Sequence, residues 1–114
     1  MAHTYKFKGG RFATNNVDTD VLFSADKETI IINSIHLTND TGANSRIIFK
    51  VEDSSLTAPN NLIAIIIKDA FTGNGSEEML TRPLVLKPSD KLKFFFTDSQ
   101  ATFDLGVSYL SITS

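Results

Sequence analysis

Asp18 and Asp20, separated only by Thr19, are the first pair of residues in this chain whose types and spacing could do chemistry. On a strand they share a face about 7 Å apart, where two carboxylates could hold Ca²⁺ or serve as acid and base on a sugar. Calcium asks for about six to eight oxygen ligands, and the rest of an EF-type loop is missing, so the pair reads first as a solvated strand face. Glu52-Asp53 and Glu77-Glu78 read the same way, as surface charge in loops. Of the two histidines, His3 lies near the N-terminus and His36 alternates with Ser34 and Thr38 on a polar face. No nucleophile elbow or other positional signature surrounds them. Gly73-Asn74-Gly75 lacks the Gly-Lys-Ser/Thr ending of a phosphate loop, and Asn39-Asp40-Thr41 and Asn74-Gly75-Ser76 match the glycosylation pattern only by their letters. With no cysteine there is no thiol nucleophile, disulfide or thiolate metal site, and with no tryptophan the usual sugar-stacking platform is missing. The expectation is a protein that is not an enzyme and carries no cofactor or metal.

Whatever these residues do, strands must position them. Apolar residues alternate, or come in short runs bounded by Gly, Asn, Asp, Ser or Pro, and no window keeps a helical period. Ser and Thr are plentiful, and nine of the eleven aromatic residues are Phe, a composition that suits a pleated surface with one wet face. Eight strands are predicted: His3 to Phe7 continuing through Ala13, Val17 to Phe23, Glu28 to Thr38, Arg46 to Glu52, Leu62 to Lys68, Leu80 to Leu86, Lys91 to Thr97 and Ala101 to Ile112. Gly9-Gly10 suggests a bulge or tight bend in the first, and Pro83 argues that Leu80 to Leu86 lies at an edge. Val17, Thr19, Val21 and Phe23 are expected to share one face of the second; Ile47, Phe49 and Val51 face inward in the fourth. The fold class expected is all-β: a single antiparallel β-sandwich over residues 1–114, an eight-stranded jelly roll.

Bulk properties narrow the partners. The net charge of −2, from 11 Lys and Arg against 13 Asp and Glu, argues against a nucleic-acid binder. No apolar run approaches the roughly 18 residues of a membrane-spanning helix, and Met1 to Lys6 does not read as a signal peptide.

Alternation fails in Leu62-Ile63-Ala64-Ile65-Ile66-Ile67, which is apolar on both faces. Either one of the chain's own loops or a bulge covers the second face, or another subunit covers Leu62, Ala64 and Ile66. Phe95, left on the outer face beside Lys91 and Lys93, and Phe71, at the mouth of a Gly-rich loop, favour the subunit. In Ile30-Ile31-Ile32, a bulge near Asn33 or a doubly covered face explains the break equally well.

The segment Val21 to Asn39 and the turn Leu84-Val85-Leu86-Lys87-Pro88-Ser89-Asp90-Lys91-Leu92 resemble small virion proteins of tailed bacteriophages. The turn before the third strand departs from that pattern, with Asp26-Lys27-Glu28 in place of a Pro-Gly-Lys-like sequence. The resemblance spans about two thirds of the chain and rests on turn and core signatures, so it carries no catalytic residue. It implies a structural protein of the virion: a capsid decoration (cement) protein, a homo-oligomer and often a trimer, bound to the major capsid protein or another virion protein. A tail, baseplate or fibre component is the alternative within that class. A carbohydrate-binding sandwich, using Asp18, Asp20 and the 53–61 and 71–79 loops, is the alternative outside it. Residues 1–13 are either a first strand or a docking arm, in which Tyr5, Phe7, Arg11 and Phe12 would meet the shell.

Overall fold

A computed structural model describes residues 2–114. Nine strands follow in order: β1 (Ala2–Phe12), β2 (Thr19–Phe23), β3 (Glu28–Asn39), β4 (Ser45–Glu52), β5 (Leu62–Phe71), β6 (Ser76–Glu78), β7 (Leu84–Leu86), β8 (Lys91–Phe96) and β9 (Phe103–Thr113). They form two antiparallel sheets packed as a sandwich. The first has the order β1-β9-β3 with β6 and β7 both on the far side of β3; the second has the order β2-β8-β4-β5.

The strand expected over Leu80 to Leu86 is shortened to β7, and β6 forms within the 71–79 segment expected to be a loop. β6 pairs with His36 to Thr38 and β7 with Ile30 to Ile32, so together they fill one position along β3. Pro83 has no N–H to give a ladder, and the strand resumes only after it. The gap lies opposite the register shift between Ile32 and Ser34, which is the bulge at Asn33. That bulge lets Ile30, Ile32, Ile35 and Leu37 all face inward despite the broken alternation.

The core lies between the sheets and is dominated by phenylalanine. Phe94 is at its centre, with ring centroids 4.9 Å from Phe49, 5.3 Å from Phe103, 5.7 Å from Phe12 and 5.8 Å from Phe96. Each fully buried ring contributes about 1.5–3 kcal/mol, so a handful supplies much of what holds a chain of this size together.

Gly9-Gly10 makes no bulge: all eleven residues of β1 pair with β9 without a shift, so residues 2–12 are a strand of the sheet and not a free arm. In β2 a register shift between Asp20 and Leu22 buries both Val21 and Leu22 and leaves Phe23 exposed, overturning the single face drawn through Val17, Thr19, Val21 and Phe23. Phe71 is not stranded in a loop. It ends β5 with 1% of its surface exposed, packed edge-on against Phe103 at 5.7 Å.

Candidate interaction surfaces

The outer face of the second sheet is a lattice of opposite charges. Asp20 Oδ1 meets Lys93 Nζ at 2.7 Å, and Asp18 Oδ1 meets Lys50 Nζ at 3.0 Å. Glu52 lies 3.9 Å from both Lys91 and Lys93. Hydrogen bonding to Lys93 is the largest influence on Asp20; it lowers that carboxyl's pKa, against the opposing pull of desolvation. Each of these carboxylates has a lysine ammonium within 3.9 Å, although Asp18 Oδ1 is buried without a hydrogen bond. Among the described residues, no group of three or more His, Asp or Glu side chains converges as a metal site would require.

β5 is the edge of this sheet, and a bulge in it redraws the predicted interface. The register shifts between Phe49 and Lys50, skipping Ile65. One extra residue flips the parity of everything beyond it. Leu62 and Ala64 therefore share the outer face with Ile67, while Ile66 pairs with Phe49 and packs against the core. Of the five residues assigned to one interface, Leu62, Ala64 and Phe95 are on the outer face. Ile66 and Phe71 belong to the interior. Phe95 is half-buried, with the Lys50 ammonium 5.0 Å above its ring.

The outer face of the first sheet is built differently. Tyr5 pairs with Leu110, Leu110 with Ile31, and Ile31 with Val85. Strands lie about 4.8 Å apart, so these four side chains form one unbroken apolar row about 14 Å long across β1, β9, β3 and β7. Tyr5 is 80% exposed and Val85 52%. On one flank, Ile112 pairs with His3 and Thr29; on the other, Ser108 pairs with Phe7 and Ser34. Sequence reasoning singled out Tyr5 and Phe7, and the break in alternation at Ile31 was a signal. Leu110 and Val85 gave none, because a row across strands is set by register between distant segments.

Phe7, 69% exposed, lies against Gly106, where an added Cβ would come within 3.0 Å of the ring. With His36, Thr38 and Asp104 it borders an open depression. At the same end of β1, Arg11 grips Asp104 in a two-pronged pair, Nε to Oδ1 at 2.7 Å and Nη2 to Oδ2 at 2.9 Å. That hydrogen bonding holds the Asp104 carboxyl below its usual pKa. Phe12, the last of the four arm residues, turns inward onto Phe94.

His36 Nε2 lies 2.5 Å from Ser76 Oγ, within nucleophile–base distance, but Thr38 Oγ1 shares that hydroxyl at 3.0 Å. The neighbouring Glu78 carboxylate is committed to Ser34 Oγ and to the backbone N–H groups of Ile35 and Leu80. Desolvation is the largest influence on Glu78 and raises its pKa, yet these hydrogen bonds together outweigh it and leave the carboxyl below its ordinary value. The pair thus belongs to a hydrogen-bonded patch on an open sheet face.

No protein-family model matches the chain. No curated protein matches it. Among solved structures it is similar to one described as the structure of infectious bursal disease virus Gx strain, with 10% identity and a TM-score of 0.47. That match covers 99% of this chain and 32% of the other, so the chain spans about a third of its neighbour's length.

Proposed function

We propose that this chain is a non-enzymatic structural protein of a virion, a decoration protein that binds a phage head shell as an oligomer. The observation that carries the reading is the apolar row Tyr5, Leu110, Ile31 and Val85 on the outer face of the first sheet. A sheet face open to water is ordinarily polar; the second sheet sets its paired lysines and carboxylates beside a shorter apolar row, Phe95, Ile48 and Ile67. The row on the first sheet crosses four strands and ends in the exposed Tyr5 and Val85, which favours that face as the contact side.

The strand order supports the same reading. β1 pairs with β9, β2 with β8, β3 with β6 and β7, and β4 with β5, so the two halves of the chain run alongside each other around the sandwich. This is the pattern expected of a jelly roll, an architecture used by viral capsid and lectin domains. The two segments that resemble phage virion proteins also meet. Ser24 N–H donates to Asp90 O at 2.9 Å and Ser89 N–H to Ser24 O at 2.8 Å.

The test is co-sedimentation of the purified protein with empty phage shells, for wild type and Ile31→Asp. Wild type should pellet with shells, and the variant should bind at least tenfold less while keeping its far-UV spectrum. Binding to isolated tails instead would move the protein to the tail. Wild type that stays in the supernatant with both would overturn the virion reading.

A glycan-binding reading is favoured by one observation: the exposed Phe7 ring beside His36, Thr38 and Asp104 combines an apolar platform with polar groups. Glycan-induced shifts of those resonances, lost in Phe7→Ala, would support it.

A further inference from the structure

Four strand edges border the two sheets, and three of them are blunted. β2 carries a bulge, β5 carries two register shifts, and β6 and β7 are three residues each with Pro83 just before β7. Bulges, shortness and proline are the usual defences against edge-to-edge pairing. β1 has none of these. Its eleven residues pair with β9 without interruption, it contains no proline, and among the described residues no backbone hydrogen bond reaches its outer edge. What it has is charge: Arg11, held by Asp104 and Asp40, and Lys6 and Lys8, which sit on the side of β1 opposite Tyr5 and Phe7, within the fields of Glu28 and Asp20.

We propose that β1 pairs antiparallel with β1 of a second copy of this chain, on a two-fold axis at Tyr5, to give one continuous sheet. Charge narrows the register and the apolar row selects it. Pairing centred on residue 6, 7 or 8 sets Lys6 or Lys8 against a lysine of the second copy, which is destabilising. Pairing centred on Gly9 spares the lysines but puts two glycines on the axis, where they pack nothing. Centring on Tyr5 sets Lys6 opposite Thr4, Lys8 opposite Ala2 and Phe7 opposite His3, with no like charges facing each other. It also carries the apolar row straight across the axis: Val85, Ile31, Leu110 and Tyr5 of one copy continue as Tyr5, Leu110, Ile31 and Val85 of the other. The contact is isologous, so it closes at two copies rather than at the three that the phage resemblance implies. The pairing rests on the free edge of β1 and on the apolar row, and it does not require the virion reading to hold.

The chain has no cysteine, so one introduced thiol reports only on contact between copies. Opposed residues in an antiparallel pair have Cα atoms about 4.5–5.5 Å apart, within disulfide range. Tyr5→Cys should therefore oxidise to a covalent dimer under native conditions. Phe7→Cys should not, because its two thiols would lie four residues apart along the strands, about 13 Å. An edge contact is small, so sedimentation equilibrium should be run up to concentrations on the order of 100 μM. Wild type should be a dimer there. Tyr5→Lys, which sets two ammonium groups on the axis, and Thr4→Lys, which faces Lys6, should be monomers; two variants guard against one failing to fold. A wild-type monomer or trimer, or Phe7→Cys cross-linking as readily as Tyr5→Cys, would overturn the pairing. A monomer that still pellets with shells would sink the pairing and leave the virion reading standing; a Tyr5-linked dimer that ignores shells and tails would do the reverse.

Discussion

Asp90, in the turn between β7 and β8, holds Ser54 of the β4–β5 loop by two hydrogen bonds to one oxygen: the backbone N–H at 2.9 Å and the hydroxyl at 2.8 Å. Its other oxygen accepts the Lys87 N–H at 3.0 Å, and the residue is 2% exposed. One buried carboxylate thus ties a turn to a loop more than thirty positions away. Asp90→Ala would strand the Ser54 and Lys87 N–H groups, while the Ser54 hydroxyl could still donate to Pro88 O at 3.0 Å. It should cost about 2 kcal/mol, read as a lower urea midpoint with an unchanged slope. Asp90→Asn, which keeps one acceptor, should cost about half as much. A loss below about 1 kcal/mol for the alanine variant would show that water or loop movement replaces the clamp.

Gly73 is required for steric reasons alone. A Cβ there would lie 2.4 Å from the carbonyl carbon and oxygen of Gly42, where the 40–44 and 72–75 loops cross. Gly73→Ala should destabilise by about 3 kcal/mol, since backbone on both sides must shift. Gly42→Ala is the control. Its Cβ meets nothing nearer than Asn74 Nδ2 at 3.9 Å, and it should change stability by less than about 0.5 kcal/mol. Equal losses in thermal unfolding would contradict this account of the crossing.

Ser89 has a φ of 71°, a left-handed conformation that costs a side-chain-bearing residue about 1–2 kcal/mol. Ser89→Gly removes that cost and takes on the extra entropy of glycine in the unfolded chain, about 0.5–1 kcal/mol. The net expectation is a gain of about 0.5 kcal/mol, or a Tm rise of roughly 3 °C. A fall in Tm would mean that the Ser89 hydroxyl contributes more than the backbone geometry shows.

Acid should unfold the protein over a defined window. Ser55, through its hydroxyl and then its N–H, together with the Lys87 ammonium, brings the Asp53 carboxyl down to about 2. Asp20 and Asp104 are lowered by hydrogen bonds from Lys93 and Arg11. A carboxylate whose pKa falls on folding stabilises the folded state fully above its unfolded value of about 3.9, and that contribution fades as pH drops through the folded value. Urea midpoints should therefore hold from about pH 7 to 4 and fall between about pH 4 and 2. Asp53→Asn should flatten part of that fall, and an unaltered acid profile in the variant would remove Asp53 from the account.

The sandwich was legible from residues because a wet face and a dry face alternate along most strands, as in Ile47, Phe49 and Val51 of β4. The turns at Asn39 to Gly42 and Lys87 to Asp90 were legible through their Asn, Asp, Gly and Pro. Faces were lost wherever a bulge changed the count. The shift at Val21 moved Phe23 to the surface, and the one at Ile65 moved Ile66 into the core, because period-2 reasoning breaks at the first extra residue. The contact surface was only half visible. Tyr5 and Phe7 stood out, but their alignment with Leu110, Ile31 and Val85 depends on a register between segments far apart in the chain, on which local spacing is silent.

The place of β9 between β1 and β3 has a consequence for how the molecule is made. Neither β1 nor the inner flank of β3 has its ladder partner until residues 103–113 have left the ribosome. Until then the first sheet is in two pieces, β1 alone and β3 with β6 and β7 on its far flank, while β2, β4, β5 and β8 can already assemble the second. Pairing so distant in sequence makes for slow folding and a long exposure of sticky intermediates. A nascent chain stopped just short of Phe103 should expose the inward side chains of β3 to chaperones, and the final eleven-residue strand should act as the latch that withdraws them.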